Sequence, residues 1–270
     1  MGQTKDRIIS ALEGTLSHEL KVKPLTIKTG IVGAVNIVAG VDKGKHEIPV
    51  DGFDIDETNT IVTALNNYQP VYCKIGSDTT NYRIIKATLT TNELTKIHIF
   101  PMLQENVADD AVVTIGGDIE ITLGRIGEDG VKIKLTIESQ EVLDEIGGIY
   151  KKFIKVKRGQ VTFPLLHLTR ENFLLFAPNS YFIVSDIDGG VKYQYGSNKG
   201  IVESASFELT CVDKKDPTNK DKTIFFEECI SSVEDFNMNI SESDKTVSIP
   251  LIFDVTGDKL IGFGDKTATF

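Results

Sequence analysis

The stretch VVTIGGDIEITLGRIGEDGVKIKLTIES occupies residues 112–139 and decides the fold class. On both sides of the segment Gly127–Gly130, apolar residues alternate with polar ones. The apolar set is Ile119, Ile121, Leu123, Val131, Ile133, Leu135 and Ile137. A period of two residues is typical of a β-strand with one buried and one wet face. The sequence therefore predicts two strands joined as a hairpin, with the turn at Gly127–Gly130.

A longer charged segment follows the predicted hairpin. Residues 140–160 read QEVLDEIGGIYKKFIKVKRGQ, which is too long and too charged for a hairpin turn. We therefore expect a loop there, with a helical part within Gln140–Ile146. The apolar run Val161–Leu168 predicts a strand that returns to the sheet. Thr169 is placed to cap a short helix over residues 169–177, and Pro178 ends it.

The order of these segments resembles that of the tail tube proteins of tailed bacteriophages. The resemblance rests on the hairpin, the loop rich in Glu and Lys, the LTRENFLLF helix at Leu168–Phe176, and the closing strand IPLIFDV at Ile249–Val255. It covers about residues 112–270. The resemblance implies a subunit that forms hexameric rings, stacked into a hollow tube through which DNA passes. The inner wall of such a tube is a continuous β-barrel built from hairpins of all six subunits.

Composition sets the broad class of the protein. The chain has 270 residues, of which 40% are hydrophobic and 25% charged, as in a globular protein with a sizeable core. Its formal net charge of −10 argues against a surface that binds nucleic acid. We find no run that predicts a membrane span or a signal peptide. The three cysteines are widely spaced, which favours reduced, partly buried thiols made in a cytoplasm.

The spacing of apolar runs and turn residues predicts three parts. Residues 1–18 form an N-terminal helix or arm, residues 19–110 a small antiparallel β-domain, and residues 111–270 the domain that resembles a tail tube protein. The segment QENVADD, residues 104–110, is the expected joint. The overall prediction is a mainly β protein with two sandwich-like or barrel-like domains and few short helices. Strands of the small domain are expected at 25–27, 31–38, 47–50, 60–65, 70–75, 82–89 and 96–100.

Residues that could carry out chemistry are sparse. The four histidines show no metal-ligand spacing, and the sequence contains no GxSxG, P-loop or Rossmann fingerprint. The carboxylates of Asp51, Asp54 and Asp56 superficially resemble a calcium loop, but the order of EF-hand ligands is absent, which favours a capped turn. The sequence therefore predicts a protein that is not an enzyme and that has no cofactor and no metal.

Four acidic residues are the candidates for lining the channel that the resemblance implies. They are Asp118, Glu120, Glu138 and Glu208. An acidic wall repels the phosphates of DNA, whereas a basic wall would hold the duplex. We expect Lys132 and Lys134, on the same polar face, to be neutralised by Asp118 or Glu120 across the predicted hairpin.

The charged segment 140–160 is the candidate for contacts between subunits. Long connections in compact domains are usually functional, so we expect it to pack on a neighbouring subunit or on the next ring. The candidate residues are Gly147, Gly148, Lys151, Lys152, Lys155, Lys157 and Arg158. The implied partners are other copies of the chain and the tape measure, sheath or baseplate proteins of a virion tail. DNA would pass without specific binding, and no membrane would be involved.

Two alternatives to the main tube subunit remain open at this point. One is a specialised terminal ring of the same fold. The other is a virion-associated β-sandwich that binds or adheres, for example to carbohydrate. The chain has no Trp and its 7 Tyr are scattered, which counts against sugar stacking. Electron microscopy of the purified protein separates rings or tubes from monomers.

Overall fold

A computed structural model describes eleven ranges of the chain. They are residues 18–36, 40–67, 69–127, 130–143, 149–165, 181–184, 191–194, 205–213, 223–231, 249–256 and 262–264. The structure is mainly β, as predicted, and it contains a closed barrel and a second, larger sheet. Residues 1–17 of the predicted N-terminal helix or arm, and the helix predicted for residues 169–177, lie outside the described residues. The chain divides into two compact units, one around each of these sheets.

Six strands form the closed barrel, in the order β2-β3-β6-β5-β4-β7. Their bounds are β2 Ile31–Val35, β3 Glu47–Asp51, β4 Val71–Ile75, β5 Tyr82–Thr90, β6 Glu93–Phe100 and β7 Val112–Ile115. Five of the seven strands expected for residues 19–110 therefore exist near their predicted positions. Their inward residues, which include Ile48, Ile84 and Ile97, are fully or almost fully buried in one apolar core. These strands were predicted from short apolar runs bounded by turn residues, and the apolar residues of the runs supply this core.

The barrel closes through β7, which we expected to open the second domain. Ile115 lies opposite Ile31 of β2 on one side and opposite Cys73 of β4 on the other. Val113 and Ile115 are both fully buried in the barrel core. The boundary expected at residues 110–111 therefore falls one strand too early, because β7 supplies the last ladder of the barrel.

A helix replaces the strand predicted for residues 60–65. This helix, α1, spans Ile55–Asn66, and Asp54 caps it. The Asp54 carboxylate accepts from the Glu57 main-chain N–H at 2.8 Å, and the Glu57 carboxylate accepts from the Asp54 N–H at 3.0 Å. This reciprocal capping box starts a helix. The short apolar run fits a helix and a strand equally well, so the cap at Asp54 decides the outcome.

Thr58 is a site where stability can be raised. This residue of α1 is 1% exposed, and its Oγ1 has no hydrogen-bond partner. A buried polar atom without a partner costs about 1–3 kcal/mol. We expect Thr58→Val to raise the free energy of unfolding by about 1 kcal/mol, measured by denaturant titration. The control is Thr60→Val, which removes an exposed hydroxyl that donates to the Asp56 carbonyl at 2.8 Å and should bring no gain.

A buried polar pair holds two connections of the barrel together. The Tyr82 hydroxyl donates to the Asp78 carboxylate and accepts from the Gln104 main-chain N–H at 2.9 Å. Burial raises the pKa of Asp78, but hydrogen bonds from Tyr82 and Thr80 outweigh it, so the pKa lies below its usual value. Burial and the bond to Asp78 raise the pKa of Tyr82 to about 12.

The Tyr82–Asp78 pair should make barrel stability depend on pH. Because the pKa of Asp78 is lowered on folding, its contribution is present above the pKa of about 4 in the unfolded chain and is lost as pH falls through the folded value. We expect Tyr82→Phe to lower the free energy of unfolding by about 1–3 kcal/mol at pH 7. Denaturant titrations should show a difference between the two proteins that shrinks as pH falls through the lowered pKa of Asp78. A difference that is independent of pH would contradict this account.

The larger sheet has eight strands, in the order β8-β1-β13-β14-β15-β10-β9, with β16 also paired to β14. Their bounds are β1 His18–Pro24, β8 Ile121–Arg125, β9 Lys132–Leu143, β10 Ile149–Leu165, β13 Ser206–Asp213, β14 Ile224–Ser231, β15 Ile249–Val255 and β16 Gly262–Phe263. Strands β11 (Tyr181–Val184) and β12 (Val191–Gln194) form a separate antiparallel pair.

Three phenylalanines mark the core of the larger sheet. Phe163, Phe226 and Phe253 are fully buried, and the ring of Phe163 lies 6.1 Å from each of the other two in edge-on geometry. Cys211 and Cys229 are also buried there as free thiols, and Cys73 is a free buried thiol of the barrel. Burial raises the pKa of Cys211 and of Cys229 to about 12, so both stay protonated and unreactive at neutral pH.

The hairpin predicted around Gly127–Gly130 is wrong. Strands β8 and β9 are not partners: β8 pairs with β1 and β9 with β10. Ile126 lies opposite Leu165 and Lys132 lies opposite Thr162, so the chain pairs with β1 through β8 and then follows one edge of β10. Alternation on both sides of a glycine-rich segment fits a hairpin and a bent strand equally well, and only the register separates them.

Candidate assembly surface

Strands β9 and β10 extend beyond the sheet to which they belong. Only residues 159–165 of β10 pair with β15, whereas residues 149–162 pair with β9. Residues 136–143 and 149–158 therefore form a two-stranded ribbon that pairs only with itself among the described residues. We call this ribbon the β-arm. At about 3.4 Å per residue, its ten-residue strand has a length of about 30 Å.

The β-arm corrects the predictions for residues 140–160. We expected a loop with a helical part at Gln140–Ile146, but residues 140–143 and 149–160 are strand. The candidates Lys151, Lys152, Lys155, Lys157 and Arg158 all lie in β10, while Gly147 and Gly148 lie outside the described residues. The prediction failed because charged residues were taken as a sign of a loop, although Phe153, Ile154 and Val156, which favour strands, lie among them.

The register of the β-arm places opposite charges at facing positions. Glu141 lies opposite Lys152, and Glu138 lies opposite Lys155. Facing positions of opposite charge favour an antiparallel pair. The register shifts between Ile149 and Lys151 and again between Val156 and Arg158. Each shift adds one residue to β10, and such bulges increase the local twist of a strand.

The base of the β-arm, at Gly159 and Gln160 of β10, packs closely against β15. Gly159 lies opposite Val255, the last residue of β15, and a side chain at Gly159 would meet the Val255 Cβ at 3.3 Å and the Leu135 Cδ2 at 3.4 Å. Next to it, the Gln160 side chain donates to the Asp254 carboxylate at 3.3 Å. The arm thus leaves the sheet from a fixed and closely packed position.

Strand β9 ends the sheet order, so its outer edge has no partner strand among the described residues. Near the base of the β-arm, Lys132, Lys134 and Thr136 are exposed, and the Leu135 side chain is 37% exposed. A strand of twelve residues at an edge offers a long row of main-chain groups to another chain. The arrangement is therefore suited to adding a strand from a partner.

Two of the four acidic candidates lie just before β8 rather than within it. Asp118 forms an ion pair with Lys23 and is 98% exposed. The main-chain carbonyl of Glu120 accepts from the Asn81 side chain at 2.8 Å. The predicted alternation is confirmed, since both residues are exposed between buried neighbours. Their predicted role of neutralising Lys132 and Lys134 is wrong, because these lysines lie opposite Thr162 and Gln160.

The other two acidic candidates lie on different strands. Glu208 is partly buried in β13, and Glu138 lies in β9 within the β-arm. Strands β14, β15 and β10 separate β13 from β9 in the sheet order. The structure of one chain therefore does not gather the four carboxylates into one row. Whether they face a common channel depends on the arrangement of several copies.

The described residues were also compared with what a metal site and a membrane-spanning helix require. Within the described ranges, no group of three or more His, Cys, Asp or Glu residues is placed to hold a metal ion. Across the same ranges, no helix has the length and hydropathy needed to span a bilayer. No protein-family model matches the sequence, and a search of curated proteins finds no relative. The β-arm and the outer edge of β9 are therefore the features of the described chain that bear on function.

Proposed function

We propose that this protein is a structural subunit that assembles with copies of itself, as a tail tube subunit of a bacteriophage virion. The proposed assembly is a stack of hexameric rings that forms a channel for DNA. The observation that carries the proposal is the β-arm, a ribbon that extends past β15 and pairs only with itself among the described residues.

The β-arm makes physical sense as an assembly element. A two-stranded ribbon alone in water is marginally stable, because few of its side chains are covered. An exposed edge strand is also a hazard, because any other chain can pair with it. Both problems disappear if the arm packs on a neighbouring copy and if the edge of β9 is paired within a ring. A closed ring of strands has no free edges.

A channel for DNA must not hold its cargo. Among the candidate residues, Glu138 lies in the edge strand β9 and Glu208 lies in the centre of the same sheet. Carboxylates on a wall repel phosphates over about 8–10 Å at ordinary salt. The net charge of −10 is consistent with such a wall. We propose that these two residues face the channel, and that Asp118 and Glu120 do so near the start of β8.

A second candidate function is a virion-associated binding module. The observation that favours it is the closed barrel, which has its own core and shows the organisation of an independent domain. A binding module that works alone would stay monomeric at high concentration. A terminal ring of the same fold would form single rings that do not stack.

Sedimentation velocity over a range of concentrations tests the proposal. We expect a species of about six times the mass of one chain of 29.7 kDa, followed by longer stacks. High salt should change the distribution if charged residues of the arm contribute to the contact. A single monomeric species up to the solubility limit would contradict the proposal and favour the binding module.

A further inference from the structure

The barrel is inserted between two strands that are neighbours in the larger sheet. Strands β1 and β8 lie side by side at the start of the sheet order. Between them in the sequence lie residues 25–120, which contain all six barrel strands and α1. The compact unit around the larger sheet is accordingly discontinuous, with residues 22–121 and 169–207 assigned to the other unit.

The two ends of the insertion meet. The Gly117 main-chain N–H donates to the Ile27 carbonyl at 2.9 Å. A side-chain carbon built on Gly117 would lie 2.9 Å from the Gly30 Cα, so the two glycine backbones are almost in contact. Lys23 and Asp118, at the same two ends, form an ion pair. Consecutive Cα atoms of a chain are 3.8 Å apart, so a very short link could replace everything between these glycines.

The two parts also differ in their free edges. The barrel is closed, and each of its strands has a partner on both sides. A closed barrel has no strand edge to offer to another copy. The larger sheet has the outer edge of β9 and carries the β-arm. Strands β11 and β12 also have outer edges without partners, but each is only 4 residues long, whereas β9 has 12. The longest edge without a partner strand among the described residues is therefore that of β9, in the larger sheet.

We infer that the contacts between copies come from the discontinuous domain alone, which consists of β1, β8–β10 and β13–β16. The barrel is an inserted module that takes no part in forming rings. This inference rests on the proposed self-assembly and names the part of the chain that carries it. A second copy of the discontinuous domain is the partner of the β-arm and of the β9 edge.

The first test removes the barrel. Residues 31–116 are deleted, and Gly30 is joined to Gly117 through two added glycines. Ile27, which is 5% exposed in the barrel core, is changed by Ile27→Ser so that it does not become an exposed apolar side chain. We expect electron microscopy to show rings with the same number of subunits as the full-length protein. A shortened protein that is folded by far-UV circular dichroism but stays monomeric would overturn the inference.

The second test keeps the whole chain and decides the question if the deletion prevents folding. Val32 and Val112 are 55% and 54% exposed on the adjacent barrel strands β2 and β7. We expect the double variant Val32→Glu, Val112→Glu to begin assembly at a protein concentration within about twofold of the threshold for the wild type. A tenfold rise in that threshold would show that the barrel joins copies and would overturn the inference. Failure of the unmodified protein to form rings would instead contradict the proposed function.

Discussion

Shortening the β-arm by four residue pairs should abolish assembly while the monomer stays folded. The register allows a clean deletion of Glu138–Glu141 together with Lys152–Lys155, since each deleted residue faces another deleted residue. Ile137 then still faces Val156, and Val142 still faces Lys151. The deletion removes two acidic and two basic residues, so the net charge stays at −10. The arm becomes about 13 Å shorter. We expect it to be too short to reach the neighbouring copy.

Sedimentation velocity should show a tenfold or greater loss of rings for the shortened arm, and thermal unfolding should be unchanged within a few degrees. The matched control is the exchange Glu138→Lys with Lys155→Glu, which keeps opposite charges at facing positions. We expect this exchange to retain assembly. If the shortened protein forms rings as well as the wild type does, the arm is not the assembly element.

Replacing Phe163 by alanine should have the largest effect on stability. Phe163 is fully buried in β10 and packs edge-on against Phe226 and Phe253. Truncating a buried phenylalanine leaves a cavity and costs about 3–5 kcal/mol. We expect Phe163→Ala to unfold the larger sheet at a lower denaturant concentration and to prevent assembly with it, as followed by circular dichroism and sedimentation.

The barrel should be unaffected by the loss of Phe163, because its core cluster consists of other residues. The control variant Phe163→Leu keeps most of the volume and should cost about 1–2 kcal/mol. A loss below about 1 kcal/mol for Phe163→Ala would contradict the view that these three rings organise the core.

Local patterns in the sequence predicted most of the fold. Alternation identified β13, because one buried and one wet face leave a period of two residues. Short apolar runs between turn residues identified strands such as β3 and β5. The prediction failed at residues 60–65, where a short apolar run fits a helix as well as a strand. There the capping box of Asp54 and Glu57 was the missed signal, and it was visible three residues apart in the sequence.

Pairing between distant strands could not be predicted from local patterns. The sequence places β8 and β9 on either side of Gly127–Gly130, yet their partners are β1 and β10. The insertion of the barrel has the same origin, since β1 and β8 are far apart in the sequence and adjacent in the sheet. The register between two strands depends on which of their faces are buried together. The pattern within one strand does not determine its partner.

The candidate assembly surface was found in part. The segment 140–160 was selected for its length and charge, and it contains most of the β-arm. Its conformation was predicted wrongly, because the aromatic and β-branched residues in KKFIKVKR were given less weight than its charge. The role of Asp118, Glu120, Glu138 and Glu208 in a channel stays a prediction, since one chain does not fix the position of a common axis.

A cryo-electron microscopy reconstruction of the protein at high concentration tests the central claim most directly. The account predicts a closed ring in which each β-arm lies against a neighbouring copy and the edge of β9 is paired. It also predicts that Glu138 and Glu208 face a channel of net negative charge. A field of monomers at every concentration, or rings whose β-arms touch no other copy, would contradict the claim that this chain assembles through its arm.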